Sequence, residues 1–316
     1  MTQISVVIPV LNESTLIKEL IERVVINLNK ISSDYEVIIV DDGSNDDTWT
    51  EVLGYSVIDT RIKGIKLSRN FGHHYAITAG LKYSDGDWVV VMDGDLQDRP
   101  EVIPLLFKEA LKGFEIVFVR RKKRPESLTY KFFQKIFYLL LNLLSGLKLD
   151  SREANFSIIS RKVVEAFIQF SENARFYGTT IRWLGFKRSY IYADHGIRFS
   201  GKSSYSLKKR IKLATDIIIA FSERPLKMSI YFGFFVSIIS VLIFCWVLTR
   251  AIIWGYEVQG WTSIIVSIFF STGSLLIVLG ILGIYVGRIF NQVKNRPLYV
   301  IEEYKNLVNN KDKEKN

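Results

Sequence analysis

Trp88-Val89-Val90-Val91-Met92-Asp93-Gly94-Asp95-Leu96-Gln97-Asp98 is the stretch on which the fold turns. Five apolar residues in a row predict a buried strand, and the acidic turn behind them predicts a strand end facing solvent. Two acids two residues apart, with a side-chain amide beside them, make an all-oxygen donor set suited to Mg²⁺ or Mn²⁺. Such an ion would bridge the phosphates of a substrate. A solvated acidic turn is the plainer alternative, because Asp-x-Asp alone is common.

The same pattern recurs upstream and downstream. Short apolar runs predict strands at Ile4–Val10, Glu36–Val40, Gly64–Leu67 and Ile116–Val119. Helical spacing of apolar residues lies between them, at Leu16–Leu28, Asp47–Tyr55 and Ala76–Tyr83, and a helix opens at Pro100 and runs to about Lys112. Strand–helix alternation of this length predicts an α/β domain with a mostly parallel sheet and helices on both faces. The carboxyl ends of parallel strands share one edge, so Asn12-Glu13, Asp41-Asp42-Gly43-Ser44, Ser68-Arg69-Asn70 and Asp93–Asp98 fall along one crevice. Taken singly, Asp42, Ser44 and Asp46 are ordinary capping residues.

Charge and hydropathy divide the 316 residues unevenly. Residues 1–119 hold 11 Lys/Arg against 19 Asp/Glu, net −8, and the total of +10 leaves +18 for the remainder. Hydrophobic residues make up 48% of the chain, and the excess gathers near the C-terminus. An acidic half joined to a basic, apolar half favours a membrane surface over a nucleic acid as partner. Arg120-Arg121-Lys122-Lys123-Arg124 precedes Tyr130–Leu147, which has the spacing of an amphipathic interfacial helix or of a core helix. Met228–Thr249 and Trp261–Gly287 are uncharged and long enough to span a bilayer.

Lys208, Lys209, Arg210, Lys212, Arg224 and Lys227 precede the first span, and Arg288, Lys294 and Arg296 follow the second. Only Arg250 lies in the short connection, which Trp246, Trp254, Tyr256 and Trp261 flank as an aromatic belt would. The positive-inside rule then puts both termini and the catalytic part in the cytoplasm, in a multi-pass protein of the plasma (inner) membrane. The expected division is a catalytic domain over 1–203 with its basic, amphipathic segment at 120–147, and a juxtamembrane helix over 204–227. Spans at 228–250 and 261–288 follow, joined by an external loop at 251–260, with a cytoplasmic tail over 289–316 that frays from about Lys305. The lone Cys245 permits no intrachain disulfide. The N-terminus lacks a basic n-region and reads as a first strand, not a signal peptide.

As an ordered set the strand-end motifs resemble the inverting family-2 glycosyltransferases of GT-A fold, and within them the polyprenyl-phosphate glycosyltransferases. The matching runs are Val7–Glu13, Val40–Ser44, Leu67–His73, Ala79–Leu81, Met92–Asp98, Arg198–Tyr205 and Phe221–Leu226. The resemblance covers roughly residues 3–300, the C-terminal hairpin included. It implies transfer of one sugar from a nucleotide sugar, with UDP-glucose the first guess, to polyprenyl phosphate, undecaprenyl phosphate in a bacterium, for modification of envelope glycans.

The resemblance also implies roles. Pro9, Asn12, Glu13, Asp41, Asp42, Ser44 and Arg69 would line the nucleotide-sugar site, with Asp93 by the ribose or diphosphate. Asp95 and Gln97 would hold Mg²⁺ or Mn²⁺. Arg120, Arg124, Arg198, Lys202 and Ser203 would bind the lipid phosphate or the diphosphate. Membrane lipids are expected partners, and relatives suggest a homo-oligomer packed through the hairpins. Where this chain has Asn155, relatives usually carry an Asp that is often assigned as the catalytic base. Asn cannot take that proton, but a phosphate monoester is already mostly dianionic at pH 7. Asp93, Asp95 and Asn155 are thus the catalytic candidates. Transfer to a glycan or lipid without phosphate, and a pseudoenzyme scaffold, are the competing expectations.

Weaker signals complete the reading. His73-His74 lacks a third His or Cys at ligand spacing, which favours a structural or substrate-edge role. Arg182-Trp183 is similar to part of the Gln-x-x-Arg-Trp motif of processive polysaccharide synthases, with Thr179 where Gln would stand. No Gly-x-Gly-x-x-Gly follows the first strand, which argues against a dinucleotide-binding dehydrogenase.

Overall fold

The computed structural model describes residues 3–121, 137, 139, 142–144, 153–170, 172, 176–194, 215, 218, 222–254 and 260–307. The chain divides into two units. One comprises Met1–Lys131, Leu149–Ser204 and Pro297–Asn316, and the other Phe132–Lys148 and Tyr205–Arg296.

Among the described residues the first unit holds eight strands: β1 (Ile4–Val10), β2 (Tyr35–Asp41), β3 (Ile62–Leu67), β4 (Trp88–Val91), β5 (Ile116–Arg121), β6 (Glu153–Ser160), β7 (Arg188–Ala193) and β8 (Ile301–Lys305). They form one sheet in the order β7-β5-β6-β4-β1-β2-β3-β8. The neighbours among β1 to β4 pair in parallel, as do β5 and β7, whereas β6 and β8 run against theirs. The α/β fold with a mostly parallel sheet is therefore observed. Its helices are α1 (Ser14–Leu28), α2 (Thr48–Ile58), α3 (His73–Tyr83), α4 (Ile103–Ala110), α5 (Arg161–Ile168) and α6 (Tyr177–Trp183). A single 3₁₀ turn, Pro100–Val102, leads into α4, so the helix expected from Pro100 to Lys112 is split and ends two residues early.

Alternation along the strands explains the layers. Val6, Ile8 and Val10 of β1 point into a core shared with Ile17, Leu20 and Val24 of α1 and Ile103 and Leu106 of α4. Val7, between them, joins Ala76, Ile77 and Leu81 of α3 on the other face. Each such buried aliphatic side chain contributes roughly 1.5–3 kcal/mol. Gly80 sets how closely α3 can approach, since a Cβ there would lie 2.3 Å from Val7 Cγ1. At the amino ends of the strands the buried Glu36 accepts hydrogen bonds from Ser5 Oγ (2.5 Å) and the Asp85 N–H (2.7 Å) and pairs with Lys63. Those partners make it a structural charge, well satisfied where it is buried.

Within the expected tail, a last strand forms before the point from which fraying is expected. Residues 301–305 pair antiparallel with β3, matching Ile65 with Tyr304 and Lys66 with Glu303. Trp49 Nε1 donates to Glu303 Oε2 (2.9 Å), Lys66 pairs with Glu302 (3.2 Å), and Asn306 Nδ2 donates to the Ile62 carbonyl (3.0 Å). Ile-Glu-Glu-Tyr-Lys looks like a solvated tail because an edge strand leaves most of its side chains in water. Deleting residues 301–316 should lower the melting temperature by about 5 °C or more and promote aggregation through the bared β3 edge. Differential scanning fluorimetry with light scattering reads both, and an unchanged melting temperature would mean that β8 adds nothing to the sheet.

The second unit contains two long helices, α7 (Arg224–Trp254) and α8 (Trp261–Val293). Their 31 and 33 residues extend roughly 46 and 50 Å at about 1.5 Å per residue. Arg224–Ile243 and Ser267–Val293 are long and apolar enough to cross a membrane, by length and composition. Phe234, Phe235, Phe269 and Phe270 stand exposed on them. Tyr285 Oη donates to the Ser222 carbonyl (2.7 Å), and Arg224 donates to the carbonyl of Leu143. Of the 120–147 segment, Phe137, Leu139 and Asn142–Leu144 are described beyond Arg121, all helical. The basic run from Lys122 and most of the juxtamembrane 204–227 segment lie outside the described residues.

Candidate active site

The carboxyl ends of β1 and β2 are stitched together first. Asn12, at φ 55°, turns the chain so that its N–H donates to Ser44 Oγ (2.9 Å) and its Oδ1 accepts from the Asn45 N–H (2.8 Å). Ser44 in turn donates to Asp41 Oδ1 from both Oγ (2.5 Å) and N–H (2.9 Å). Asp41 is 0% exposed and its Oδ2 has no hydrogen-bond partner. Burial accordingly pushes its pKa up, against the pull of the Ser44 bonds. The Glu13 N–H donates to Thr48 Oγ1 (2.9 Å), which anchors the start of α1 against α2.

The loop after β3 closes on this pair. Asp42 Oδ1 accepts from the Phe71 N–H (2.8 Å) and Oδ2 from the Gly72 N–H (2.9 Å), although burial still raises its pKa. The contact needs Gly43, at φ 73°, where a Cβ would sit 2.4 Å from the Arg69 carbonyl carbon. The Arg69 guanidinium lies 4.1 Å from the Phe71 ring centroid, on the exposed side of the loop.

The turn after β4 has an alternating profile. Gly94, Leu96 and Asp98 are buried, whereas Asp93, Asp95 and Gln97 are half-buried and lie on the open side. Leu96 drops into the core at φ 59°, a conformation branched or bulky residues rarely adopt. Asp95 Oδ1 accepts from the Gln97 N–H (3.0 Å), and Asp98 Oδ2 from the Asp93 N–H (3.3 Å). Gly94 lets the turn press against β1, because a Cβ there would lie 2.3 Å from Glu13 Oε2 and 2.7 Å from Val10 Cγ1. Glu13 and the Asp93–Gln97 row therefore belong to one site.

β6 brings the last members. Running antiparallel beside β4, with Val91 opposite Ser157, it delivers Asn155 next to the end of β4. His73 Nε2 lies 3.2 Å from Asp93 Oδ1 and 3.4 Å from Asn155 Nδ2. Burial disfavours a charged His73, but the hydrogen bond to Asp93 and the charges of Asp93, Asp42 and Glu13 outweigh it and raise its pKa. His74 behaves oppositely. Burial and the neighbouring His73 lower its pKa to about 3, so it is neutral, and its Nδ1 accepts from the Tyr177 N–H (3.4 Å). Tyr177 is wholly buried, and its Oη meets Ser157 Oγ at 2.8 Å.

Asn12, Glu13, Asp41, Asp42, Ser44, Asp93, Asp95, Gln97 and Asn155 are thus placed at one edge of the sheet, with the Pro9 carbonyl beside Gly94. Arg120 stands at the end of β5 with its guanidinium 3.6 Å from the Tyr190 ring centroid. Arg124, Arg198, Lys202 and Ser203 lie outside the described residues. His73, expected in a structural or substrate-edge role, stands beside Asp93 and Asn155, and Tyr177 enters without having been singled out. The usable signal for His73 was its place directly behind a strand-end loop.

Among the described residues no three His, Cys, Asp or Glu side chains form a metal cage. Asp95 and Gln97, with Asp93 beside them, nevertheless fit a hard divalent ion. They offer oxygen donors on one open face, and Mg²⁺ commonly takes one or two protein oxygens and completes its shell with phosphate and water.

The α/β sheet thus gathers carboxylates and an oxygen-donor turn along the carboxyl edge of its strands, the edge where open α/β sheets bind ligands. Residues 5–168 match the glycosyl transferase family 2 model, and the chain belongs to that family. It is 36% identical over 302 residues to the uncharacterized glycosyltransferase YkcC of Bacillus subtilis, covering 95% of this chain and 94% of the relative. It is 34% identical to the bactoprenol glucosyl transferase of Shigella phage SfII, covering 95% and 98%. It is 30% identical to the undecaprenyl-phosphate 4-deoxy-4-formamido-L-arabinose transferase of Proteus mirabilis, covering 95% and 93%.

Proposed function

We propose that this glycosyltransferase moves a single sugar from a nucleotide sugar to polyprenyl phosphate with inversion at the anomeric carbon. UDP-glucose and undecaprenyl phosphate are the substrates to try first. The observation that carries the reading is the half-buried row Asp93, Asp95 and Gln97, set beside Glu13 and His73 at the strand-end edge. The names of the full-length relatives, bactoprenol glucosyl transferase and undecaprenyl-phosphate sugar transferase, support the acceptor.

Each residue then has a task. Asn12, Asp42 and Ser44 shape the cleft for base and ribose, with Asp41 acting through Ser44. Asp93 supports the donor, and Arg69 flanks it. Asp95 and Gln97 would hold Mg²⁺ or Mn²⁺, which neutralises charge on the departing diphosphate when bound. An acceptor phosphate oxygen attacks the anomeric carbon, the bond to the donor phosphate breaks, and its electron pair leaves with the nucleoside diphosphate. The attacking oxygen is already anionic, so Asn155 has to orient rather than deprotonate.

The exposed apolar helices α7 and α8, with basic residues before the first and after the second, support a multi-pass inner-membrane anchor with the catalytic unit and both termini cytoplasmic. Arg120 and Arg124 would face lipid headgroups or the lipid phosphate. Arg198, Lys202 and Ser203 would clamp the diphosphate, and the hairpins would pack into a homo-oligomer. Purified protein in detergent, given radiolabelled UDP-glucose and undecaprenyl phosphate, should move label into the organic phase. EDTA should cut the rate about 100-fold or more. Label that never enters the lipid phase with any common nucleotide sugar would refute the proposal.

A further inference from the structure

Arg182 sits one turn beyond Gly178 on α6, on the same helix face. Its Nη1 donates to the Gly178 carbonyl at 2.7 Å, which folds the side chain back along the helix. The missing side chain at Gly178 leaves the way open. A Cβ there would lie 3.0 Å from Arg182 Nη1 and 3.2 Å from Asn155 Oδ1. The guanidinium and the Asn155 amide therefore face each other across the space that a methyl group would fill. Below it, the guanidinium rests 4.6 Å from the ring centroid of the buried Phe118. One flat face of the cation is thus shielded from water, which strengthens its hold on an anion at its edge.

On the far side of Asn155, His73 Nε2 lies 3.4 Å from Nδ2. Two nitrogen-bearing rings or planes thus flank a neutral amide, and all three residues are half-buried. A carboxylate at position 155 would oppose an incoming anion. An amide does not, and it can donate to one. Toward the donor side the field reverses, because Asp93 and Asp95 repel an anion that arrives without a counter-ion. A phosphate monoester, at roughly −1.5 to −2 charge, finds its favourable ground between Arg182, Asn155 and His73.

We infer that Arg182, with Asn155 and His73, forms the subsite that receives the acceptor phosphate, and that Gly178 exists to let Arg182 reach it. This deepens the proposed function and rests on it for the identity of the acceptor. Arg182 is a binding residue here and moves no proton.

The test uses the full chain in detergent, with Arg182→Gln and Gly178→Ala. The KM for undecaprenyl phosphate and for UDP-glucose are measured separately, with the melting temperature alongside. Arg182→Gln should raise the acceptor KM about 10- to 100-fold, the effect of losing a charge-assisted contact, and leave the UDP-glucose KM unchanged. Gly178→Ala should shift the acceptor KM in the same direction, and Arg182→Lys should recover part of the loss. An unchanged acceptor KM overturns the inference. So does a rise in both KM values together with a falling melting temperature, which marks Arg182 as a fold-holding residue.

Farnesyl phosphate and farnesol, titrated by calorimetry, separate this inference from the parent proposal. If no polyprenyl phosphate is glycosylated, the proposed function fails. The subsite still stands if farnesyl phosphate binds the wild type about tenfold or more tightly than Arg182→Gln while farnesol does not discriminate. Equal binding of farnesyl phosphate to both, or to neither, overturns it.

Discussion

Asp95→Ala is expected to slow sugar transfer by about 10³-fold or more while the melting temperature moves by only a few degrees. The structural cost is small, because Asp95 is half-buried and its hydrogen bond from the Gln97 N–H, at 3.0 Å, is local to the turn. Losing such a bond costs about 1 kcal/mol. The functional cost is larger, because charge on a departing diphosphate develops in the transition state. Removing one stabilising group there raises the barrier by about 4 kcal/mol or more. Two measurements check it. The first is the initial rate of label entering the lipid phase. The second is the rise in melting temperature produced by UDP with Mn²⁺, which reports selective binding to the native state and should vanish in the variant. A rate within tenfold of wild type would remove Asp95 from the leaving-group role.

Asp42→Ala should damage binding and fold together. Its carboxylate takes the N–H groups of Phe71 and Gly72, the last residues before α3. Alanine leaves those donors without their acceptor and frees the loop that carries Arg69. An expected loss of about 2–4 kcal/mol lowers the melting temperature by roughly 5–10 °C in a unit of this size. UDP affinity should fall by about 100-fold, because the cleft wall itself shifts. A pH signature separates this from a general defect. Burial holds the Asp42 pKa above the ordinary aspartate value, so between the two values the folded protein binds the extra proton. Stability of the ligand-free protein therefore falls as pH rises through that window. The alanine variant lacks Asp42's share of the slope. Identical slopes in thermal denaturation from pH 4 to 7 would show that Asp42 is not the group responsible.

Much of this was legible in the chain, for reasons visible in single elements. β1, β2 and β4 are fully or nearly buried, so they appear as apolar runs, and each gives way to polar residues at its carboxyl end. Asp42, Asp93 and Asp95 could be placed from that alone. β7 and β8 could not. Arg-Ser-Tyr-Ile-Tyr-Ala and Ile-Glu-Glu-Tyr-Lys occupy the two margins of the sheet, where no residue is fully buried and no apolar run forms. The partners of Asn155 were hidden for another reason. His73 meets it, and Gly178 and Arg182 lie near it, only because β6 inserts between β5 and β4. Strand order is a long-range choice that no local pattern announces. Gly94 and Gly178 belong to the same class. Their meaning is the proximity of Glu13 in one case and of Asn155 and Arg182 in the other.

β8 carries a last consequence. The chain leaves the sheet at β7, runs through both long apolar helices, and re-enters the same sheet beside β3. Departure and return are thus fastened to one sheet. Whatever barrier the first helix penetrates, the excursion must penetrate it an even number of times, since a sheet cannot have strands in two compartments. Parity, which owes nothing to the distribution of lysines and arginines, makes the second crossing compulsory once the first is made. An added cation in the connecting loop could strain that arrangement but could not invert half of it without unzipping β8.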